Sequence, residues 1–521
     1  MRAHRSTRTG LLQATSYAVG PFEEPRTRLL LLLALHAVVW TCVYVSVRSN
    51  LDAPGDMVEA FAWGQGWQWG YWKHPPLMAW VSGAWFSLMP RSDLSYAVLA
   101  CLNATVGLLG VQAMARELVD RRWVFPCVAA AALTPGLTVM AMRFNANAVL
   151  LSIWPWAIAW FARAMRTGHP RDAAVAGVMC ALTLLGKYFS AALLAALVLA
   201  ALAHRPWRAR LLSSTGVVGV VACLLALTPH LHWLMVHAGG TLRYAAQATG
   251  YAIDSPVARA LIFTVMMLVY PLLSLGLIAH VLPKETSGFV GRGGHWVRMA
   301  RVMLQPSSRP VWMIAWMPIL FVACATVFTA ARTTALWGLA MSFAIILLAA
   351  DGAAATGRRP DARRVWPWLG VVWLIALVMA PVIWDQAARR GVRGQTEPRA
   401  ELTQALEAQW LQAYGSKLKW VTGTRPIAMS ASFYSASGAQ YWNAWARELD
   451  SPWVNEARVR QDGYAVVCDS RIEPDCPRQA RQLCGTVQAI TVAKRTRGYT
   501  FDPVRFDVAF CAPAQPEKRS R

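Results

Sequence analysis

Runs of about twenty apolar residues recur along this chain, and no other feature constrains its fold as much. The first is LLLLLALHAVVWTCVYVSV at 29–47. Inside a bilayer every backbone N–H and C=O must find a partner within the protein, so an apolar run of roughly 20 residues reads as a membrane-crossing helix. Eleven such spans are predicted: 28–48, 94–115, 123–142, 146–164, 172–186, 188–204, 211–229, 257–282, 311–331, 333–350 and 366–384. The segment 76–90 is apolar but short, and reads as a helix lying in the membrane interface. The opening MRAHRSTRTG has neither an early apolar core nor a small-residue cleavage site. The first span is therefore expected to be an uncleaved anchor, with 1–27 as a cytoplasmic tail.

The formal charge of +24 would point to nucleic acid in a soluble protein. Here the basic residues concentrate between the spans, so membrane topology explains them and no nucleic-acid partner is expected. ARELVDRR, ARAMRTGHPR, HRPWRAR, the loop 283–310 and TGRRPDARR fall on one face, and the opposite connections are poor in base. The positive-inside rule makes the first set cytoplasmic. It places 49–93, the turns near 143 and 187, the loop 230–256 and the tail on the other side. Six cysteines (42, 101, 127, 180, 223, 324) lie in or near apolar runs and read as small core residues.

From about 386 the chain changes character. ELTQALEAQWLQAYG reads as an amphipathic helix, and RPIAMSAS, GYAVVCDS, GTVQAITVAK and VRFDVAF as short strands. A small extracytoplasmic α/β domain over 386–521 is expected. An exported domain tolerates oxidation, so Cys468, Cys476, Cys484 and Cys511 are disulfide candidates with three pairings open. Their spacing does not match a zinc site.

Unusual chemistry gathers at the turns of the non-cytoplasmic face. The first loop reads NLDAPGDMVEAFAWGQGWQWGYWKHPPL. One helical turn puts Asp56 and Glu59 on the same face. Carboxylates beside aromatic residues at a membrane surface are costly unless paired or functional; the plain reading is a helix N-cap and a solvated glutamate. Lys73 and His74 follow. Only seven lysines stand against 44 arginines, and Lys73 and Lys187 are the only lysines before residue 284. Snorkelling explains one such lysine, and a compact ammonium also suits phosphate. Pro75 and Pro76 forbid a helix through this point. The tryptophans around Trp67 read either as an interfacial belt or as a wall for a sugar or prenyl chain. Further turns carry Arg143, Asn145 and Asn147 in MRFNANAVLL, Lys187 and Tyr188 in LLGKYFSA, His230 and His232 in TPHLHWL, and Arg243, Tyr244 and Asp254 in LRYAAQATGYAIDSP.

The early acidic pair, GY-x-KHPPL-x-AW, FNAN-x-x-LL, GKY and PHL-x-WL together resemble polytopic glycosyltransferases of the GT-C fold. The branch is similar to glycosyltransferase family 39, which includes the aminoarabinose transferases of lipid A and the protein O-mannosyltransferases. The likeness is carried by about 30–260; the later spans and tail match in architecture. It implies an all-α polytopic domain of about 11–13 transmembrane helices over 28–385, beside interfacial helices. It also implies a bacterial inner-membrane setting, a periplasmic active site and a polyprenyl-phosphate sugar donor. Asp56 matches the family's first-loop acidic residue, with Glu59 near its acidic partner. Lys73 matches the lysine that meets the donor phosphate, with His74, Arg143, Lys187, Tyr188 and Arg243 in support. Trp67, Tyr71, Asn145, Asn147 and Tyr244 complete the expected substrate pocket. Asn147 stands where many relatives have a second carboxylate. His230 lies near a position that some relatives turn toward a metal, so a divalent cation is the one cofactor offered.

The implied function is transfer of a sugar to a periplasmic acceptor, lipid A or lipopolysaccharide first, with inversion. A protein O-glycosyltransferase and a lipid-linked-glycan ligase are alternatives within the fold. A transporter is the alternative outside it, and would place ionisable residues midway through spans or show inverted repeats.

Overall fold

The computed structural model describes residues 26–237, 241, 244, 255–282 and 291–514. Among these, eight helices are long and apolar enough to cross a membrane: Arg26–Val47, Asp93–Leu118, Ala148–Thr167, Ser214–Val236, Pro256–His280, Pro310–Thr329, Ala335–Ala354 and Ala362–Arg389. A ninth forms if Tyr188–Ala203 and Arg205–Leu211, bent by 113°, count as one span.

Eleven spans were expected, and the difference has local causes. The stretch 123–142 makes only the short helix Val124–Ala131 and a 3-10 turn at Pro135–Leu137. Thr134-Pro135-Gly136 breaks it, because proline lacks the N–H that a continuing helix needs and restricts the residue before it. The stretch 172–186 is the helix Pro170–Gly186, whose 17 residues stand at the short end of the range for a span; it leads from Gly168 beside Arg210 to Lys187 beside Asn147. It packs between Ala148–Thr167 and Ser214–Val236.

Burial follows composition. Ser342–Ala354 (SFAIILLAADGAA) is apolar almost all round and almost wholly buried, the behaviour of a core helix. Arg26–Val47, Ser214–Val236 and Val365–Arg389 instead leave leucine, isoleucine and valine exposed, as faces turned to lipid would. Cys42 and Cys324 are exposed on such faces, while Cys101 and Cys127 are buried. His36 is fully buried within its span, and its Nε2 lies 2.9 Å from the Leu137 carbonyl.

Four elements of the first third position the site: α1 (Arg26–Val47), α2 (Asp56–Gly64), α3 (Leu77–Leu88) and α4 (Asp93–Leu118). The interfacial helix expected at 76–90 is α3. It crosses α2 so closely that a Cβ on Gly64 would come within 2.7 Å of the Gly83 nitrogen, so both positions need glycine.

The chain beyond Arg389 folds around a five-stranded sheet. Its strands are β1 (Trp420–Gly423), β2 (Gln440–Tyr441), β3 (Tyr464–Cys468), β4 (Gln488–Val492) and β7 (Val504–Cys511); β5 (Arg495–Thr496) and β6 (Tyr499–Thr500) form a separate hairpin. The order is β2-β1-β3-β7-β4. β1 runs parallel to β2 and β3, and β7 antiparallel to β3 and β4. Three of the four expected strands are present. The fourth, RPIAMSAS, is instead the start of the helix Arg425–Tyr434. Pro426 sits in its first turn, where its missing N–H costs nothing. Ile427 to Phe433 are all buried, so the segment has no exposed face whose polarity could reveal its period. Disulfides join Cys468 to Cys476 and Cys484 to Cys511.

This sheet-bearing part is clamped to the first loop. Arg399, 2% exposed, pairs with Glu397 at 2.8 Å and donates to the carbonyls of Asp52 (3.1 Å) and Ala53 (3.3 Å). Asn50 donates to the Glu397 carbonyl at 3.0 Å and accepts from Lys494 at 2.7 Å. Phe433 meets Phe61, Phe86 and Tyr96 at ring distances of 5.1, 5.5 and 5.7 Å.

Arg399→Ala should therefore destabilise the protein by about 1–3 kcal/mol, because Arg393 still pairs with Glu397 Oε1 at 3.0 Å but Glu397 Oε2 and the carbonyls of Asp52 and Ala53 lose their donor; thermal unfolding in detergent would read this as a lowered midpoint. Replacing Cys484 and Cys511 together by serine should cost about 2–4 kcal/mol, and a non-reducing peptide map should recover 468–476 and 484–511 as the linked pairs.

Candidate active site

The site begins with a helix cap. Gly55 takes φ 86 at the entry to α2, a left-handed conformation that glycine adopts without strain. Asp52 then folds back, its carboxylate accepting the N–H of Asp56 at 3.0 Å and of Met57 at 2.9 Å. These are orphan donors of a helix N-terminus. The plain reading of Asp56 as the N-cap fails for this reason: Asp52 does the capping, and the Asp56 carboxylate is left for other work.

Asp56 and Glu59 project from one face of α2 toward Lys73. The Lys73 ammonium lies 3.0 Å from Glu59 Oε1 and 3.7 Å from Asp56 Oδ1. Its position is set by a turn, in which the Tyr71 N–H donates to the His74 carbonyl at 3.1 Å, followed by Pro75 and Pro76 leading into α3. Burial would lower the Lys73 pKa, but Glu59 and then Asp56 hold it above the ordinary lysine value. Burial pushes the Glu59 carboxyl up, against the pull of Lys73 and Arg425.

Arg425 arrives from the C-terminal part. Its Nη2 donates to Glu59 Oε2 at 3.0 Å, its Nε lies 3.0 Å from Asp450 Oδ2, and its guanidinium covers the Trp72 ring at 5.0 Å. Asp450, 3% exposed, also accepts from Trp63 (3.3 Å), Trp72 (2.9 Å), Tyr441 (2.8 Å) and Asn443 (3.1 Å).

A second arm leads from Asp56 through the turn 143–147. Asn145 donates to Asp56 Oδ2 at 3.0 Å, while its own oxygen accepts the N–H of Asn147 and Ala148 and so starts the helix Ala148–Thr167. Asn147 accepts from Lys187 at 2.7 Å, and the Lys187 ammonium stands 4.4 Å from the centre of the Trp337 ring. Burial pushes Lys187 down to about 7, with Asp56 opposing and Lys73 adding to the shift. Arg143 Nε is 3.7 Å from Asp52 Oδ2. His74 lies edge-on to Trp63 and Tyr244 at 6.4 and 6.0 Å. Burial, then Lys73 and Lys187, hold it well below the ordinary histidine value, so it stands neutral.

Other candidates sit elsewhere. Tyr71 stacks on Trp63 at 4.8 Å and donates to the Trp63 carbonyl at 2.6 Å, which places it behind the loop as a support. Trp67 is 53% exposed. The Tyr188 hydroxyl lies 2.8 Å from His230 Nε2, and His230 Nδ1 lies 2.6 Å from the Trp69 carbonyl. Both imidazole nitrogens are thus occupied. No group of three or more His, Cys, Asp or Glu that could hold a metal occurs among the described residues, so the donor set at His230 does not fit a resident cation. Arg243 and Asp254 lie outside the described residues.

Sequence reasoning passed over Asp52, Arg425, Asp450 and Trp337. The spacing of Asp52 to the glycine before Asp56 was a usable cap signal. Nothing local to Arg425 or Asp450 marks them, since their partners are more than 350 residues away at Glu59, Trp63 and Trp72.

Residues 73–233 match the family described as dolichyl-phosphate-mannose-protein mannosyltransferase. That segment opens on Lys73 and includes Arg143, Asn145, Asn147 and Lys187; it leaves out α2 and Arg425. The crystal structure of ArnT from Cupriavidus metallidurans in the apo state matches at 15% identity over 95% of this chain and 100% of that one, with a TM-score of 0.56. The same protein bound to undecaprenyl phosphate matches at 15% identity over the same shares, with a TM-score of 0.58. Among curated protein sequences none matches. At this identity the likeness is one of fold. The chain is a multi-pass membrane protein of the GT-C fold, and its residues 73–233 match the mannosyltransferase family.

Proposed function

We propose that this protein is a glycosyltransferase that moves a sugar from a polyprenyl-phosphate donor to a lipid A or lipopolysaccharide acceptor on the periplasmic face of the bacterial inner membrane. The observation that carries the reading is the Lys73 ammonium, held beside Asp56 and Glu59 at 3.7 and 3.0 Å in the segment where the family match begins. The lipid-phosphate ligand of the ArnT structure supports the donor class.

In the reaction the bond from the anomeric carbon to the donor's phosphate oxygen breaks, and polyprenyl phosphate leaves with the bonding pair. The acceptor oxygen attacks the opposite face of the sugar and inverts it. Lys73 stabilises the charge that develops on the leaving phosphate. Glu59 and Asp56 keep that ammonium charged. Lys187 supplies a second, weaker cation. Asp56 takes the proton if the acceptor is a hydroxyl. If the acceptor is a phosphate it is already anionic, and Asp56 then orients the sugar or steadies positive charge at its ring. Arg425 holds Glu59 toward Lys73 from the C-terminal part.

Mass spectrometry of lipid A, core oligosaccharide and exported glycoproteins, with and without the gene, tests this reading. One sugar mass should disappear from the lipid A or core fraction. A loss confined to glycoproteins would move the assignment to protein O-glycosylation, and no change in any fraction while the protein is present would overturn it. Asp56→Asn and Lys73→Ala should each lower transfer by about 10²–10⁴-fold with normal protein levels; full activity in both would remove them from the chemistry.

Lys187 adds a pH test. Burial pushes it down to about 7, so binding of polyprenyl phosphate should weaken as pH rises through that value. Lys187→Arg, which stays charged, should flatten the profile. Stability should respond in the opposite sense. A lysine lowered in the folded state binds its proton more weakly there than in the unfolded chain. Its contribution to stability therefore grows as pH rises from about 7 toward the ordinary lysine value.

A further inference from the structure

The arginine-rich face carries a feature that the transfer reaction does not use. A cavity of about 220 Å³ lies between the helices Ala148–Thr167, Pro170–Gly186, Ala191–Ala203 and Ser214–Val236. Its walls are almost wholly apolar, with Phe161, Met165, Leu197, Val220 and Leu224 among them. Val220 and Leu224 are 57% and 53% exposed, so the cavity opens to the side that faces lipid.

At its arginine-rich end the chain bends by 113° into the short helix Arg205–Leu211. Trp207 anchors that helix inward, while Arg205, Arg208 and Arg210 are exposed. Arg210 directly precedes Leu211, which lines the cavity. The Arg210 Nη1 is so close to Gly168 that a Cβ there would come within 2.6 Å. The Gly168 carbonyl accepts from Thr215 Oγ1 at 3.1 Å, and Thr215, Leu211 and Gly216 line the cavity.

The charges around this end divide in two. Arg163 pairs with Asp172 at 3.2 Å and Arg166 with Glu117 at 2.7 Å. Arg205, Arg208 and Arg210 have no ion-pair carboxylate among the described residues, and neither does Arg171 just beyond Gly168. A row of guanidiniums without carboxylates, set over an apolar cavity that opens sideways into the bilayer, matches an anionic headgroup above an acyl chain. Basic pockets between membrane helices on the cytoplasmic side recognise acidic lipids in this way.

We propose that the cavity and the helix Arg205–Leu211 form a binding site for an acidic phospholipid of the cytoplasmic leaflet. One acyl chain enters between Leu197 and Val220, and the phosphate is taken by Arg208 and Arg210. The site is separate from the Lys73 centre and stands whether or not the transfer reaction is the one proposed.

Native mass spectrometry of the full-length protein tests this, after reconstitution in phosphatidylcholine vesicles doped with phosphatidylglycerol. The wild type should retain phosphatidylglycerol in preference to phosphatidylcholine. Arg208→Ala with Arg210→Ala should weaken that retention about thirty-fold, the effect of two guanidiniums near an acidic surface. Val220→Trp, or Leu224→Trp as a second filling variant, should also displace the lipid although it removes no charge. Arg116→Ala with Arg121→Ala takes two charges from the same face away from the cavity and should change nothing. An equal loss in both arginine pairs would reduce the site to diffuse surface charge and overturn the proposal. So would retention unaffected by both tryptophan variants, or no preference for phosphatidylglycerol in the wild type.

Discussion

A carboxylate buried at a membrane surface is costly unless cations reach it, and Glu59 has two. Lys73 comes from the same loop and Arg425 from a helix more than 350 residues later, each at 3.0 Å. This one carboxylate ties the first loop to the C-terminal part at the point where the polar residues converge. Asp450 extends the tie by drawing in Arg425, two indoles, a tyrosine and an asparagine. The Trp-rich loop is thereby held from behind. Trp63 and Trp72 serve as hydrogen-bond donors to Asp450, whereas Trp67 is exposed.

Three carboxylates within eight residues take three different roles because their surroundings differ. Asp52 satisfies the helix N-terminus. Glu59 is enclosed between cations. Asp56 keeps an asparagine on one oxygen and a more distant ammonium beside the other, which leaves it the most available of the three. The two lysines separate in the same manner. Carboxylates hold Lys73 charged, whereas Lys187, facing an amide and an indole, is pushed down to about 7 by burial. Groups whose environments drive their proton affinities apart are a recurring basis for dividing labour in an active site.

Much of this architecture was legible in the chain. Apolar length identified most of the spans, because a bilayer leaves backbone groups no other partner. The i, i+3 spacing correctly put Asp56 and Glu59 on one face, and the two prolines correctly ended the loop. The misreadings share a physical origin. At 123–142 average hydropathy hid a Pro-Gly break, since apolar content alone does not report whether a helix can continue. At 425–434 complete burial erased the polar face that distinguishes a helix from a strand. The tryptophans, read either as belt or as wall, include two that do a third thing, because an indole N–H is a donor as well as part of a surface.

By itself the sequence determined that the chain crosses a membrane many times, that base-rich connections alternate with base-poor ones along it, and that acidic and basic residues meet in the loop before KHPPL. These are local properties: run length, charge spacing, and the backbone limits of proline and glycine. Only the tertiary structure decided that Asp52 caps α2 in place of Asp56, that Lys187 reaches Asn147, and that Arg425 closes the site from the far end of the chain. Such pairings depend on where distant segments come to rest, and a buried charge gives no sign in the sequence of which distant partner will neutralise it.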